Sequence, residues 1–510
     1  MMGRTKRAVV VGAGVGGLVS AIELARRGLD VVVLERAARV GGKMRQVNVA
    51  GRAIDAGPTV MTMRWVLEEI WNDAGGSLEQ DLTLKRADLL ARHAWGPGKP
   101  LDLFADIEPS TEAIAAFAGA READGYRRFC KYAQDIYDTV REPFLRSERP
   151  SLSSAMAAFG VLGFQNVMKI DGHRLMWNAL REYFTDARLL QLFGRYATYC
   201  GSSPYAAPAS LNVVAHVERD GVYLVEGGMY RVAEALVRLA ERLGVTIRCG
   251  EHVHELAISG GRVSGVRMGS GELVHADIVV CNGDPAALFR GFFGTHAKRA
   301  VPAPAERSLS AVTWTFVAEP KGDYPLVRHN VFFSHDYAKE FKELFQQSVL
   351  PAEPTVYVCA QDRDDQGHAP PGPERFLILV NAPSTGDQNR PNTSEIQRCE
   401  AAAFSLLSRA GLDFPHYTAP PVVTTPIEFD RLFPATGGAL YGPVSHGMTS
   451  PFNRATSRTK IPGLYLAGGA AHPGAGVPMA ALSGRLAAKA VEQDLASMKP
   501  LRETVMRGGI

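Results

Sequence analysis

The stretch Arg7-Ala-Val-Val-Val-Gly-Ala-Gly-Val-Gly-Gly17 is the most informative part of this chain. Its β-branched half predicts a buried parallel strand that runs directly into a glycine loop. Apolar residues at 18, 21, 22 and 25 share one helical face, so a helix is expected after the loop. A second strand over 30–34 ends at Glu35, 18 residues past Gly17. This order of strand, loop, helix, strand and acid is typical of a dinucleotide-binding βαβ unit.

Each glycine of the loop has its own role in such a unit. Gly12 allows the tight turn, Gly14 lets the backbone approach a pyrophosphate, and Gly17 lets the helix pack closely on the strand. The helix N-terminus offers free N–H groups and the positive end of its dipole to the phosphates. Glu35 can accept hydrogen bonds from a ribose, and an acid there argues against a 2′-phosphate. NAD or FAD is therefore favoured over NADP.

The composition of the chain argues against several other classes of protein. Its 510 residues predict two or three domains. Lys and Arg number 56 against 53 Asp and Glu, a net charge of +3, which argues against a dedicated nucleic-acid binder. The six cysteines lie far apart without a CxxC pair, so neither a disulfide framework nor a zinc or other metal site is expected. The basic start shows no cleavage pattern, and no apolar run reaches about 18 residues, so we expect an intracellular protein without a spanning helix.

Two segments that follow Glu35 separate FAD from NAD. Arg36-Ala-Ala-Arg-Val-Gly-Gly-Lys43 contains a second glycine pair, and Asp55-Ala-Gly-Pro-Thr59 follows it. Together they resemble the extended fingerprint of the FAD-dependent amine oxidase and carotenoid desaturase superfamily. The resemblance implies FAD as the cofactor. It also implies cofactor contacts at Arg36, Gly42, Lys43, Gly57, Pro58 and Thr59.

A third segment near the C-terminus completes the resemblance. Over 462–485 the residues predict a strand, a glycine-rich loop and a helix with Pro478 in its first turn. In the family, the positive end of this helix faces the pyrimidine edge of the isoalloxazine, where anionic charge develops on reduction. The resemblance assigns a backbone clamp on the adenine to Val253 and further cofactor contacts to Gly468, Gly476, Val477 and Met479.

The resemblance covers nearly the whole chain and implies an α/β fold. A Rossmann-type FAD-binding domain of the glutathione reductase kind would carry an inserted α+β substrate domain. The FAD-binding domain is expected over 1–89, 220–289 and 426–500. The substrate domain, which would also face the membrane, is expected over 90–219 and 290–425, with 501–510 as a tail.

Within the superfamily the chain resembles bacterial carotenoid desaturases. The segments 55–63 and 474–485 are most similar to hydroxyneurosporene (1-hydroxycarotenoid 3,4-) desaturases, and Ala471 stands where phytoene desaturases usually have Thr. The resemblance implies 3,4-dehydrogenation of an acyclic 1-hydroxycarotenoid, with hydride transfer to flavin N5. Phytoene desaturase, carotenoid isomerase and amine oxidase are alternatives on the same fold. A prenyl-binding carrier without FAD, similar to the Rab GDP-dissociation inhibitors, is the alternative from another class.

The sequence offers no obvious catalytic base. His472 is the nearest candidate, but positioning of the loop by its His-Pro pair is the simpler interpretation. Asp362, Asp364 and Asp365 fall in a polar stretch that predicts a solvated loop rather than a metal site. Hydride removal next to a polyene leaves a delocalised cation that loses a proton to water or a weak base, so we assign no catalytic residue.

A polyene substrate dissolves in the bilayer, so the enzyme is expected to be cytoplasmic and peripherally associated with a membrane surface. The segment 155–164 is an apolar run with Arg141, Arg146 and Arg149 before it and Lys169 after it. Such a segment could lie in the interface beside anionic headgroups. A buried helix of the substrate domain explains the run equally well, and both interpretations stay open.

Overall fold

The computed structural model describes residues 5–149, 168–448 and 450–497. The apolar run at 155–164 therefore lies outside the described residues. The strands are β1 (Arg7–Val11), β2 (Asp30–Glu35), β3 (Gln46–Val49), β4 (Arg52–Asp55), β5 (Leu84–Arg86), β6 (Leu89–Ala94), β7 (Leu101–Phe104), β8 (Tyr223–Val225), β9 (Thr246–Cys249), β10 (Val253–Ser259), β11 (Arg262–Met268), β12 (Leu273–His275), β13 (Ile278–Cys281), β14 (Ser310–Ala318), β15 (His329–Phe332), β16 (Val356–Ala360), β17 (Glu374–Ala382), β18 (Val422–Thr424) and β19 (Leu464–Leu466).

Helices connect and cover these strands. They are α1 (Val15–Ala25), α2 (Arg64–Asp73), α3 (Leu78–Asp81), α4 (Ile107–Ala118), α5 (Ala120–Val140), α6 (Met176–Leu180), α7 (Ala187–Gly194), α8 (Val213–Asp220), α9 (Tyr230–Arg242), α10 (Pro285–Arg290), α11 (Tyr337–Lys342), α12 (Thr393–Arg409), α13 (Pro426–Leu432) and α14 (Val477–Ser497). Among the described residues, no helix is both long enough and apolar enough to cross a membrane.

A parallel sheet forms the centre of the first half of the molecule. Its five strands lie in the order β19-β13-β1-β2-β9. Alternate residues of β1 face opposite sides, as the period of two in a strand requires. Ala8 and Val10 pack with helices α1, α9 and α14, whereas Val9 and Val11 pack with the antiparallel sheet β10-β11-β12. This doubly covered parallel sheet with its βαβ start confirms the predicted α/β fold class.

A mixed sheet of seven strands forms the centre of the second half. Its order is β18-β14-β17-β16-β15-β6-β7, and only β15 and β6 pair in parallel. One face of β14, including Trp314 and Phe316, is buried against helix α12. The opposite face is turned towards a cavity between the two sheets. The strands of this sheet come from 89–104 and 310–424, and the exact domain boundaries given above stay a prediction.

Candidate functional site

The glycine loop between β1 and α1 leaves no room for side chains. Gly12 has a φ of +98°, which glycine adopts without strain. A Cβ on Gly14 would lie 2.8 Å from Nδ2 of Asn282, and one on Gly17 would lie 2.0 Å from the carbonyl oxygen of Gly12. No side chain of the described residues caps the start of α1. The first N–H groups of this helix are therefore free to bind a phosphate.

Glu35 is fixed beside this loop at the end of β2. Its Oε2 accepts a hydrogen bond from the Ala13 N–H at 2.7 Å, and its Oε1 accepts one from the Ala37 N–H at 2.8 Å. Both carboxylate oxygens keep a lone pair for a further donor. Because Glu35 also lines the cavity, it is placed to accept hydrogen bonds from ribose hydroxyls.

Two further glycines bring later segments against the loop. A Cβ on Gly42 would lie 3.2 Å from the Cα of Gly14, and a Cβ on Gly57 would lie 2.0 Å from the carbonyl oxygen of Lys43. The dipeptide Pro58-Thr59 follows and lines the cavity. The second glycine pair and the Asp55–Thr59 segment thus continue the wall that the first loop begins.

The two basic residues predicted at the cofactor bind main-chain carbonyls across the cavity rim. Lys43 Nζ donates to the carbonyl of Leu440 at 2.6 Å, and Arg36 Nη2 donates to the carbonyl of Leu432 at 2.7 Å. Burial lowers the pKa of Lys43 to about 8. Both side chains line the cavity, and their contact with a cofactor stays a prediction.

Asp55 fixes the Asp55–Thr59 segment on the side away from the cavity, a role that the sequence motif did not reveal. Its Oδ2 accepts the N–H of Met229 at 2.6 Å. Its own backbone exchanges two hydrogen bonds with the Gln361 side chain, at 3.0 and 2.7 Å. On the cavity side, the hydroxyls of Thr59 and Tyr357 are 2.7 Å apart. These contacts fix the segment to both halves of the molecule.

The C-terminal glycine loop meets the N-terminal one through Asn282. A Cβ on Gly468 would lie 2.7 Å from Oδ1 of Asn282, whose Nδ2 donates to the carbonyl of Gly12 at 3.4 Å. Asn282 follows β13, which lies beside β1 in the sheet. The sequence shows an Asn-Gly-Asp turn there, but only the sheet order reveals that it separates two glycine loops.

Arg454 is the second functional residue that sequence reasoning missed. Its guanidinium donates to the carbonyls of Tyr441 and Gly469 at 3.1 Å and to that of Pro443 at 3.0 Å. The side chain is buried, which lowers its pKa below the usual range. Arg454 therefore fixes the C-terminal loop in place, although it lies 15 residues before Gly469 in the sequence.

One cavity of about 1360 Å³ joins these parts. Of the predicted cofactor residues, all but Gly17 line it. They are Gly12, Gly14, Glu35, Arg36, Gly42, Lys43, Gly57, Pro58, Thr59, Val253, Gly468, Gly476, Val477 and Met479. Gly17 instead packs α1 on the loop. A cradle without Cβ atoms, free helix N–H groups and a fixed carboxylate fit the pyrophosphate and ribose of FAD.

The far side of the cavity is formed by the face of the mixed sheet that lies opposite helix α12. Thr313, Leu379, Tyr357 and Val331 are in register across β14, β17, β16 and β15. All four line the cavity, so an otherwise apolar floor carries a few hydroxyl groups. Helix α8 contributes Val213, Val214 and Val217 to the same cavity. Such a chamber suits a long apolar ligand with little polarity.

His472 does not line the cavity. Its Nε2 lies 3.0 Å from the carbonyl oxygen of Phe144, and the two rings pack edge to face. Burial lowers the pKa of His472 to about 4. These contacts give His472 a structural role in holding the loop rather than a position from which to remove a substrate proton.

The prediction of a solvated loop at the three aspartates is wrong in part. Asp362 pairs with Arg375 at 2.6 Å, and Asp364 pairs with His368 at 3.0 Å. Asp365 is buried, and its Oδ2 accepts the N–H of Asp88 at 2.7 Å. Asp362 and Asp365 tie other segments to the loop, whereas Asp364 closes a turn within it. The described residues hold no group of three side chains suited to a metal ion.

Comparisons with known proteins agree with this geometry. The family model for flavin-containing amine oxidoreductases matches residues 15–492. The chain is similar to hydroxyneurosporene desaturase of Rubrivivax gelatinosus, with 51% identity over 510 residues, 99% of this chain and 97% of the relative. It is also similar to 1-hydroxycarotenoid 3,4-desaturase of Flavobacterium sp. strain P99-3, with 29% identity over 95% of this chain and 98% of the relative. Among solved structures, a putrescine oxidase bound to putrescine shares the fold, with a TM-score of 0.60 at 16% identity over 96% of this chain and 99% of that one.

Proposed function

The chain belongs to the flavin-containing amine oxidoreductase family, and we propose that it is an FAD-dependent desaturase of the C3–C4 bond in an acyclic 1-hydroxycarotenoid. The observation that carries the proposal is the continuity of the cavity. The dinucleotide cradle opens directly into an apolar chamber lined by the mixed sheet and helix α8. Single small-ligand sites usually measure about 300–1,000 Å³. The volume of about 1360 Å³ leaves room for a cofactor and a long substrate together.

Desaturation removes a hydride from one carbon of the bond and a proton from its neighbour. When bound, FAD supplies the hydride acceptor at N5 of its isoalloxazine. The protein has to hold the substrate bond at that position and keep water away. Leu377, Leu379 and Val331 provide the apolar surface for this. The C–H bond on the neighbouring carbon then breaks, its electron pair forms the new double bond, and the proton passes to water or another weak base.

The residues around the flavin end act as supports for this geometry. The hydroxyls of Thr59 and Tyr357 connect the Asp55–Thr59 segment to the mixed sheet. Arg454 connects the C-terminal loop to the 441–443 segment. Positioning by rigid neighbours is the main contribution that such a reaction needs from the protein.

A membrane surface is proposed as the source of the substrate. Met448 and Phe452 both line the cavity, yet their exposed fractions are 58% and 40%. Phe292 lines it as well and is 52% exposed. Large apolar side chains at the edge of an apolar chamber favour contact with lipid. In a liposome flotation assay, a variant with Met448→Glu and Phe452→Glu should bind less than the wild type, and equal flotation would contradict this proposal.

The proposed reaction is tested by adding 1-hydroxyneurosporene in liposomes to the purified protein under anaerobic conditions. The expected result is a flavin absorption band that bleaches, with an extracted pigment whose spectrum is red-shifted by one double bond. A bound flavin that does not bleach would reject this substrate and make phytoene and neurosporene the next compounds to test. A protein that purifies without flavin and does not take it up would favour the prenyl-binding carrier.

A further inference from the structure

Arg195 is a charged side chain in a chamber that is otherwise suited to a hydrocarbon. It follows helix α7 and lines the cavity together with Thr198 and Tyr199. Its guanidinium carbon lies 5.2 Å from the centre of the Tyr199 ring, and Nη2 donates to the Tyr199 hydroxyl at 3.4 Å. The ring contact fixes the guanidinium plane at the cavity wall.

The Arg195 guanidinium has N–H donors without a partner. Its Nη1 donates no hydrogen bond to the described residues and, unlike the sealed Nε, is not shut off from the cavity. Arginine carries five N–H donors and cannot lose its charge in a protein. When an apolar ligand displaces water from the cavity, a cationic donor left without an acceptor is costly, so a bound ligand is expected to supply one. A pure hydrocarbon such as an unsubstituted polyene cannot provide one.

Glu218 provides a negative charge near Arg195 without accepting a hydrogen bond from its guanidinium. Its carboxylate accepts a hydrogen bond from the Tyr199 hydroxyl at 2.5 Å and another from the hydroxyl of Tyr196. No salt bridge joins Arg195 to Glu218 in the described residues, so Tyr199 lies between them. The guanidinium thus keeps its free donors for the cavity.

Arg195 lies near the flavin end of the chamber. The turn that it begins leads to Gly201, where a Cβ would lie 2.5 Å from the ring of Tyr441. The carbonyl of Tyr441 accepts from Arg454, which also holds Gly469 in the C-terminal glycine loop. Tyr441 is also within electrostatic range of the Arg195 guanidinium, so Arg195 lies on the side of the chamber next to the C-terminal glycine loop.

The chemistry of the substrate requires a polar group at that end. In a 1-hydroxycarotenoid the oxygen is attached to C1, and C1 and C3 are two bonds apart, about 2.5 Å at ordinary carbon–carbon bond lengths. When the C3–C4 bond lies at the flavin, the hydroxyl must lie close to the flavin too. A distant polar end of the tunnel could not bind it.

We propose that Arg195 selects hydroxylated carotenoids by donating a hydrogen bond to the oxygen on C1. This inference rests on the proposed function and adds the residue that recognises the hydroxyl of the substrate. Thr313 and Tyr337 also line the chamber, but their hydroxyl oxygens are sealed from it. Arg195 is the cationic donor in this wall, and hydrogen bonds to charged groups are the stronger ones.

The test compares 1-hydroxyneurosporene with neurosporene, which lacks the hydroxyl, in the FAD-loaded enzyme. For each carotenoid in liposomes, kcat/KM is measured for the wild type, Arg195→Met, Arg195→Lys and Arg219→Met. Arg219 is a matched control because it is half-buried against His216, at 3.0 Å, and does not line the chamber. Flavin content per protein verifies that each variant is folded.

The wild type should prefer the hydroxylated substrate. Arg195→Met should lower kcat/KM for it by about 10- to 100-fold, the loss expected for one charged hydrogen bond. The value for neurosporene should stay unchanged or rise, so the preference disappears. Arg195→Lys should keep part of the preference because it keeps a charged donor, and Arg219→Met should keep all of it.

Three results would overturn the inference. An Arg195→Met enzyme with the wild-type preference would show that another group reads the hydroxyl. If Arg195→Met fails to bind FAD, an Arg195→Lys enzyme that shows no preference would also lead to rejection. A wild type that turns over both carotenoids without selectivity would reject the role of Arg195 alone. A wild type that turns over neither would reject the proposed function itself.

Discussion

Replacing Arg454 with methionine should release FAD from the protein. Arg454 donates four hydrogen bonds to the carbonyls of Tyr441, Pro443 and Gly469, between 3.0 and 3.1 Å. Methionine fills a similar space but donates none. The C-terminal glycine loop would lose its only contact with a guanidinium among the described residues.

The size of the effect follows from the groups that are left behind. Three carbonyls without their donor cost about 1–3 kcal/mol each, or about 3–9 kcal/mol together. Removing the guanidinium also relieves the cost of burying its charge, which is visible in the lowered pKa of Arg454. The net loss should therefore lie in the lower half of that range. A domain has only about 5–15 kcal/mol of stability, so the loop should become disordered or the protein should unfold.

The assay measures bound flavin and thermal unfolding with and without added FAD. Ligand at a hundred times its Kd stabilises a protein by about 2.7 kcal/mol, so the wild type should melt at a higher temperature with FAD. Arg454→Met should purify with little flavin and show little of this gain. Arg458→Met is the matched control, because Arg458 bonds Asp494 at 3.1 Å and does not line the cavity. A variant at Arg454 that keeps its flavin and gains as much from FAD as the control would refute the reasoning.

Two further predictions concern the dinucleotide loop and acid stability. Glu35→Gln should weaken FAD binding by about 10- to 100-fold in a fluorescence titration, because one amide donor and the ribose lose a carboxylate acceptor. Glu234→Gln, at a surface ion pair, should leave the affinity unchanged. Burial lowers the pKa of His93 and His329 to about 3 and that of His472 to about 4. Below pH 6.5 the unfolded chain therefore binds more protons than the folded one. As the pH is lowered, the free energy of unfolding should decrease by at most about 1.4 kcal/mol per pH unit for each histidine. Urea unfolding at pH 7, 6 and 5 measures this, and a constant stability would contradict it.

The sequence predicted the dinucleotide unit well because its signals are local. Gly12, Gly14, Gly17 and Glu35 lie within one βαβ unit, where turn geometry, helix start and strand end follow from neighbouring residues. The Ser-Gly-Gly turn at 259–261 between two β-branched runs likewise predicts a hairpin, and the structure has the antiparallel pair β10 and β11 there. Apolar residues at 232, 236, 239 and 243 predict a helix over 231–243, and the structure has α9 there, beginning and ending one residue earlier.

The long-range parts of the site could not be predicted in this way. Asn282 separates two glycine loops that are more than 450 residues apart in the chain, and nothing near it in the sequence indicates this. The cavity floor combines single residues from four strands in register, such as Thr313 and Tyr357. Asp365 is buried against Lys85 on β5 and Asp88 in the turn after it, which are distant in the chain. Each of these depends on sheet order, which local patterns do not contain.

The Arg195–Tyr199–Glu218 arrangement also bears on the chemistry of the proposed reaction. Removing a hydride leaves a positive charge on the polyene, and a lone guanidinium beside it would raise the energy of that cation. Glu218 lies two hydrogen bonds away from Arg195 and lines the same cavity, so its negative charge offsets the guanidinium at the wall. The tyrosine between them keeps the carboxylate from neutralising the guanidinium donors directly. A site that must both bind a hydroxyl and tolerate a nearby cation needs such a separated pair, because a direct salt bridge would leave no donor and an unbalanced arginine would oppose the reaction.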